Sequence, residues 1–529
     1  MAEIEIPIKK RLRRTWHTFF ARSGHLLPVQ ERAIPEVLAG RNLIVVSPTA
    51  SGKTEAVVAP LCELILRKQL SGLSVIYLTP TRALANDLFE RLCDQMTELR
   101  ITVDVRTGDR PALNWRKPPD FLITTPESLD SAICRHPAAL RSLLAVIVDE
   151  IHLIDGTYRG DQVRILLKRL ERPFSTYLLS ATVRDPAGVA SRYMQDYGII
   201  STGEERHPIA TTLSSLSEAF EMADEEKLKK LLIFCNSRKN VEMVAREARE
   251  IRGEAGVVVH HGSLHRKVRE ETEMLMKSAR RLVCVSTMTL EAGIDIGDVD
   301  AVVLADLPPD TVSLVQRAGR AGRRNGHMRV FAICDDETAP VFEEMLDAGI
   351  SGPADYSPDL SVVVQQIFSM LFGGPCGLIY EEISANFEEF CNPEVLGGRI
   401  IPYLVDTGIV QKRGGRLFAS EMVMNLGERG EIHSNIPDSR GFLVIESRRN
   451  LEIGEIELPE ETLGKREPFV LAGRVWEIEE IRKNRIYVRL AGRPAAPAGF
   501  GKADKRGAFS EHLPPDLRES LSPPRWGTG

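Results

Sequence analysis

Residues 47–54, Ser47-Pro48-Thr49-Ala50-Ser51-Gly52-Lys53-Thr54, constrain this chain more than any other stretch. They follow an apolar run, Leu43-Ile44-Val45-Val46, that reads as a buried strand. They precede Glu55-Ala56-Val57-Val58-Ala59, which can open a helix. Strand, small-residue loop, Gly-Lys-Thr and helix is the layout of a phosphate-binding loop, where backbone N–H groups and a helix N-terminus cradle a polyphosphate. In that reading Ser51, Gly52, Lys53 and Thr54 bind the nucleotide. Lys53 reaches the β- and γ-phosphates and the Thr54 hydroxyl takes Mg²⁺. The usual first glycine is replaced by Ser47, so the stretch taken alone could equally be an ordinary strand-to-helix turn.

The order of the downstream segments decides between the two. Further apolar runs occur at 75–78, 121–124, 145–148 and 176–179, with helical segments such as 83–99 between them. That alternation predicts a parallel α/β domain, whose ligands bind beyond the carboxyl ends of the strands. Polar groups stand at those ends: Thr79-Pro80-Thr81-Arg82, Thr124-Thr125-Pro126-Glu127, Asp149-Glu150-Ile151-His152 and Ser180-Ala181-Thr182. An acidic pair beside a phosphate loop can hold Mg²⁺ through Asp149 and activate the attacking water through Glu150. A lone pair of this kind could also cap the next helix.

A second alternating region has apolar runs at 231–235, 257–260, 282–286, 301–305 and 330–333. It carries no second Gly-Lys-Thr. It carries instead Gln316-Arg317-Ala318-Gly319-Arg320-Ala321-Gly322-Arg323-Arg324. Arg320 and Arg323 are one helical turn apart, so both guanidinium groups can face one γ-phosphate. The alternative is a basic face meeting solvent or nucleic acid.

At 529 residues the chain is expected to hold roughly three or four domains. No run of about 18 apolar residues is present, so no membrane span is expected. The first residues lack the apolar core and cleavage site of a secretory signal. Eight cysteines without a Cys-x-x-Cys pair argue for a reducing, cytoplasmic setting and against a zinc or iron–sulfur site. A net charge of −6 requires any nucleic-acid contact to be local. Basic clusters lie at 9–14, 317–324 and Arg448-Arg449, and each could be a solvated face.

Taken together, these segments resemble the motifs of a superfamily 2 DEAD/DEAH-box-type helicase, in family order across about residues 15–335. Gln30 resembles the adenine-reading glutamine, 47–54 motif I, Pro80-Thr81-Arg82 motif Ia and Thr125-Pro126-Glu127 motif Ib. Asp149-Glu150-Ile151-His152 resembles motif II, Ser180-Ala181-Thr182 motif III and Phe234-Cys235-Asn236-Ser237-Arg238 motif IV. Ser286-Thr287 through 291–295 resembles motif V and 316–323 motif VI. The resemblance implies two tandem RecA-like P-loop domains, with ATP and Mg²⁺ as ligands. Lys53, Asp149, Glu150, Arg320 and Arg323 would be catalytic, with Thr54 and Asp149 on the metal. Gln30, Gly293 and Asp295 would lie near the nucleotide. Arg82, Thr125, Ser237, Arg238 and Thr287 would meet the nucleic-acid backbone, contacts that position a strand without reading its sequence. His152, Ser180, Thr182 and Gln316 would couple the two sites. His260 and His261 are equally consistent with packing.

Arg159-Gly160 shortly after motif II resembles the Lhr-like (large helicase-related) branch. The implied organisation is RecA-like domains at 1–205 and 206–345, a winged helix at 346–435 around a Gly414-Gly415 hairpin turn, and a small β domain at 436–492. Residues 493–529, rich in Pro, Gly and charge, are expected to be disordered. Members of the branch continue for several hundred residues more, which puts processivity and strand separation in doubt. The function implied is a 3′-to-5′ DNA helicase or translocase in DNA repair or recombination. It would act as a monomer on single-stranded or tailed nucleic acid, with a nuclease or other repair proteins as partners and no membrane. An RNA helicase or RNP remodeller, and an ATP-gated clamp that does not unwind, are the alternatives.

Overall fold

A computed structural model describes residues 7–22, 24–48, 51–170, 173–181, 183, 185–202, 208–290, 296–308, 311–322, 328–347, 357–436, 442–448, 451–456, 469–471, 474–482, 485–491, 496–497 and 507–520. The chain folds into two compact units that interleave along the sequence: residues 1–203, 352–438 and 504–529 form one, and 204–351 with 439–503 the other. No helix among the described residues is long and apolar enough to cross a membrane.

The first unit is built on a seven-stranded, all-parallel sheet. Its strands are β1 (Asn42–Val46), β2 (Val75–Leu78), β3 (Val103–Arg106), β4 (Phe121–Thr124), β5 (Ala145–Val148), β6 (Ser175–Ser180) and β7 (Tyr197–Ser201). They are ordered β3-β4-β2-β5-β6-β1-β7. Every residue of β2, β4 and β5 is buried, as expected of strands covered by helices on both faces. One face packs against the helices Pro28–Leu38, Lys53–Lys68 and Arg82–Glu98. The other packs against Pro126–Arg135 and Tyr158–Arg169. Because β4, β2, β5, β6 and β1 are successive neighbours, the segments that follow them emerge along one edge of the sheet.

A helical module docks on this unit. The helix Leu360–Gly373 leads through shorter helical turns to the antiparallel hairpin β14 (Val410–Arg413) and β15 (Arg416–Ala419), whose turn is Gly414-Gly415. A fully buried carboxylate, Asp130, ties the module down. It accepts from Arg169 Nη1 at 2.7 Å, Ser369 Oγ at 2.6 Å, Gln365 Nε2 at 3.1 Å and His433 Nδ1 at 3.1 Å. Burial alone would raise its pKa, but the Arg169 charge and the His433 and Ser369 hydrogen bonds outweigh burial and hold it below the usual carboxylate value. Asp130, Cys134 and His433 lie close enough to share a metal ion. Arg169, on both Asp130 and Cys134 Sγ (3.4 Å), supplies the positive charge there instead.

The expected disorder of 493–529 is corrected over part of its length. Residues 507–520 form the turn Ala508–His512 and the helix Pro515–Ser520. Phe509, Leu513 and Leu517 are buried in the same core as Val363, Ile367 and Phe368 of the helix Leu360–Gly373. Phe509 stands in the turn, Leu517 in the helix and Leu513 in the extended link between them, and the burial of all three outweighs the Pro, Gly and charge around them.

The second unit has a six-stranded parallel sheet: β8 (Ile209–Leu213), β9 (Lys230–Phe234), β10 (Val257–His260), β11 (Leu282–Ser286), β12 (Ala301–Leu304) and β13 (Arg329–Ile333), ordered β10-β11-β9-β12-β13-β8. It shares a core with a mixed sheet of β16 (Phe442–Glu446), β17 (Leu451–Ile456), β18 (Phe469–Leu471), β19 (Arg474–Arg482), β20 (Arg485–Leu490) and β21 (Ala496–Pro497). Trp476, Ile478, Ile486 and Val488 bury there beside Val257 and Leu264. The join is made by backbone: Leu264 bridges Gly454, and His265 N donates to Ile453 O at 2.7 Å. Lys483 and Asn484, the expected hairpin turn, lie outside the described residues, but β19 and β20 pair antiparallel around them.

Candidate nucleotide and nucleic-acid site

The phosphate loop starts at the end of β1. Ser47 N donates to Ser180 O at 3.0 Å, which pins the loop to β6. Gly52 caps the helix Lys53–Lys68 in the left-handed region at φ 82°. That conformation suits glycine. The space does too, since a Cβ there would stand 2.3 Å from Gln30 Nε2. Gln30 itself accepts from Leu27 N at 2.9 Å and donates to Gly52 O at 3.3 Å. It therefore braces the loop from outside, a contact that the adenine reading does not require. Thr49 and Ala50 lie outside the described residues.

Lys53 and Thr54 are buried, each 7% exposed. Lys53 Nζ lies 3.7 Å from Glu150 Oε1. Asp149 Oδ2 accepts from Tyr77 OH at 2.8 Å, and Oδ1 accepts from Glu150 N at 2.9 Å. Burial, then the adjacent Glu150 charge, push the Asp149 carboxyl up to about 6 against the pull of Lys53. Glu150 adopts φ 46°, an uncommon conformation for a residue with a side chain, and is buried. His152 Nδ1 lies 2.8 Å from Ser180 Oγ, so motifs II and III touch directly. Ser51 Oγ is buried with no hydrogen-bond partner among the described residues. An unused donor in the loop, an ammonium group and two carboxylates fit a nucleotide polyphosphate and a hard divalent cation taken up by oxygen ligands.

At the neighbouring strand ends, Arg82 is largely exposed and pairs with Asp109 at 2.6 Å. Thr125, 4% exposed, precedes the helix Pro126–Arg135. In the second unit Ser237 is exposed, and its Oγ caps the helix Arg238–Arg252 by accepting from Asn240 N at 3.1 Å. Arg238 is half-buried. Thr287 is nearly buried, and its N–H donates to His260 O at 3.3 Å. Both histidines are buried against carboxylates: His260 Nε2 lies 3.0 Å from Glu273 Oε1, and His261 Nε2 lies 2.9 Å from Glu242 Oε1.

Motif VI requires a correction. Its helix, Thr311–Ala318, carries Gln316 but ends before Arg320. Arg320 lies in a turn, and Ala321 bridges back to Val299. The helical setting expected for Arg320 is therefore corrected, because the helix ends at Ala318 and Ala321 turns back to bridge Val299. Arg320 is buried at 1% exposure. Thr182, Gly293, Asp295 and Arg323 lie outside the described residues.

Two residues take roles that the motifs did not announce. Tyr77 anchors Asp149 from a strand interior. Arg317, 2% exposed, donates to Asn236 Oδ1 at 3.0 Å and lies over the Phe234 ring at 5.3 Å, tying motif VI to motif IV.

The DEAD/DEAH box helicase model matches residues 27–188 and the helicase conserved C-terminal domain model matches residues 212–325. The chain belongs to the DEAD/DEAH-box helicase family. Within it, the similarity is to the Lhr-like helicases. The chain is 29% identical to the ATP-dependent helicase Lhr-Core protein 2 of Thermococcus barophilus, over 92% of this chain and 65% of the relative. It is 30% identical to the ATP-dependent helicase Lhr-Core of Sulfolobus acidocaldarius, over 90% and 62%. It thus spans just under two thirds of the length of these curated relatives. Its fold matches the Mycobacterium smegmatis helicase Lhr bound to ssDNA and AMP-PNP, with a TM-score of 0.66 and 27% identity over 81% of this chain and 63% of that one. It also matches the DUF1998 helicase MrfA bound to DNA, with a TM-score of 0.73 over 91% of this chain and 73% of that one. At 22% identity the second likeness shows the fold. These helicase-family relatives agree with the two RecA-like domains read from the motifs.

Proposed function

We propose that this helicase-family chain is a nucleic-acid-stimulated ATPase that translocates 3′-to-5′ on single-stranded DNA, in repair or recombination. The observation that carries the reading is the cluster of Lys53, Asp149, Glu150 and Ser51 beyond the ends of β1 and β5, which flank β6, with His152 bonded to Ser180 of β6 beside it. Lys53 and Ser51 bind the phosphates of ATP. Thr54 and Asp149 would hold Mg²⁺, which neutralises phosphate charge when bound. Glu150 orients the attacking water and takes its proton, with Lys53 Nζ 3.7 Å away. Arg320 and Arg323 stabilise charge on the transferring phosphoryl group. Gln30, Gly293 and Asp295 complete the nucleotide contacts. Arg82, Thr125, Ser237, Arg238 and Thr287 take the backbone of the strand, which predicts weak sequence preference and strong salt dependence. His152, Ser180, Thr182 and Gln316 pass the state of one site to the other. DNA is favoured because the solved Mycobacterium smegmatis helicase Lhr, 27% identical, is bound to ssDNA. Eight free thiols support a reducing, cytoplasmic setting. A monomer suffices for this chemistry, with nucleases or other repair proteins as its natural partners.

The test is ATP hydrolysis with and without single-stranded DNA, single-stranded RNA and duplex, scored alongside displacement of a 3′-tailed strand. Selective stimulation by DNA with displacement is expected. Glu150→Gln should lower the rate by about 10²–10⁴-fold, and Lys53→Ala should abolish nucleotide binding. Selectivity for RNA, or stimulation without displacement, would replace the reading by the remodeller or the clamp. Folded protein with no stimulation by any nucleic acid would end it.

A further inference from the structure

The helix Tyr158–Arg169 follows motif II and carries the Arg159-Gly160 pair, to which no role is assigned above. Thr157 starts it: its Oγ1 accepts from Arg159 N at 3.2 Å and Gly160 N at 3.5 Å. This cap fixes where the Arg159 side chain leaves the backbone. Its Nε donates to Glu127 Oε1 at 2.8 Å, and its Nη1 donates to Pro80 O. Arg159 and Glu127 are each 18% exposed.

The two acceptors belong to two different loops. Pro80 precedes Thr81, whose Oγ1 caps the helix Arg82–Glu98 by accepting from Leu84 N at 3.2 Å. Glu127 lies in the first turn of the helix Pro126–Arg135, directly after Thr125 and Pro126. One guanidinium group therefore bridges the loop that carries Arg82 and the loop that carries Thr125. Its planar fork can serve two acceptors in different directions at once, which a lysine ammonium on a flexible stem does far less rigidly. The bond to Glu127 is charge-assisted and partly shielded from water, which places it among the stronger hydrogen bonds.

The next residue looks the other way. A Cβ on Gly160 would stand 2.3 Å from Ile154 O and 2.8 Å from Tyr193 OH. Ile154 closes the turn Ile151–Leu153, which contains His152 of motif II. Only a glycine lets the helix start lie this close to that turn.

We infer that Arg159 is a positioning residue: it sets the spacing of the 80–82 and 125–127 loops so that Arg82 and Thr125 meet one nucleic-acid backbone. Gly160 anchors the same helix start to the motif II turn. The inference deepens the proposed function and rests on its assignment of those loops to nucleic acid. A phosphate backbone presents charges at fixed intervals, so two contact loops held at one spacing bind it without first being ordered, and the entropy of ordering them is not charged to binding.

The experiment is steady-state ATP hydrolysis by the full chain as single-stranded DNA is titrated. Arg159→Ala is expected to raise the half-saturating DNA concentration about tenfold. The rate at saturating DNA and the DNA-free rate should stay within about twofold. Glu127→Ala should act in the same direction, and the double variant should be no worse than Arg159→Ala alone. Arg159→Lys, which keeps the charge but not the fork, should fall between, and it decides the matter if the alanine variant fails to fold. An unchanged half-saturating concentration with stimulated parent protein overturns the inference and leaves the proposed function standing. So does a loss confined to the maximal rate. A parent protein that no DNA stimulates overturns both.

Discussion

The Asp130 cluster makes a quantitative claim about how the helical module is held. Asp130→Ala removes one side of an ion pair in which Asp130 is fully buried and Arg169 is only 7% exposed. Three further donors, on Ser369, Gln365 and His433, lose their acceptor with it. Breaking a buried pair from one side leaves an uncompensated charge and costs about 3–5 kcal/mol. At about 2–4 °C per kcal/mol for a large unit, the melting transition of the first unit should fall by roughly 10 °C. Calorimetry that resolves the two units measures this directly. The companion variant, Asp130→Leu with Arg169→Met, removes both charges and should recover most of the loss. The acid limb gives a second reading. Asp130 is held below its unfolded pKa, so its stabilisation is complete above about pH 4 and is lost as pH falls through the folded value. Parent and Asp130→Ala should therefore converge in melting temperature on acidification below about pH 4. A drop under about 2 °C, or a double variant that loses the sum of both single losses, would refute the claim that this buried charge pair holds the module.

Two other outcomes rest on single groups. Asp149, raised to about 6, favours folding while protonated, so in the metal-free chain its contribution declines as pH rises through about 6. Metal uptake needs the ionised form, so the stabilisation given by Mg²⁺ with a non-hydrolysable ATP analogue should grow between about pH 5.5 and 7.5, read as a melting shift; a shift independent of pH would show that Asp149 is not the metal ligand. Phe509→Ala should cost about 3 kcal/mol by opening a cavity beside the Phe368 ring, 5.6 Å away, and a loss below about 1 kcal/mol would mean that residues 507–520 do not hold the core.

The two parallel sheets were legible because each buried strand reads as a short apolar run that ends in a polar motif. The adjacency of motifs I, II and III was legible only as a consequence of strand order. Strand order is set by pairings such as Leu43 with Tyr177, which no local pattern announces. The hairpin at Gly414-Gly415 carried its own turn chemistry. Arg320 misled, because a three-residue spacing implies a shared helical face only if the helix continues, and this one ends at Ala318 before the Ala321 bridge. The 507–520 segment misled in the opposite sense: composition averaged away three well-spaced apolar residues. Asp130, Arg169 and His433 were invisible as a group, since an aspartate and a histidine 303 residues apart share no sequence signal.

The interleaving of the two units has a consequence for synthesis. A ribosome delivers residues 1–203 first, then most of the other unit, before the helix Leu360–Gly373 that covers Ile165 appears. At typical elongation rates the delay before Phe509 and Leu513 can close that core is roughly 15–60 s. For the first part of that interval the nascent first unit presents Ile165 uncovered, with Asp130 and Arg169 awaiting Gln365, Ser369 and His433, and for the rest of it the core lacks Phe509 and Leu513. The chain is thus a candidate client for chaperones that shelter half-made proteins, and premature termination anywhere before residue 509 would release a first unit that cannot seal itself.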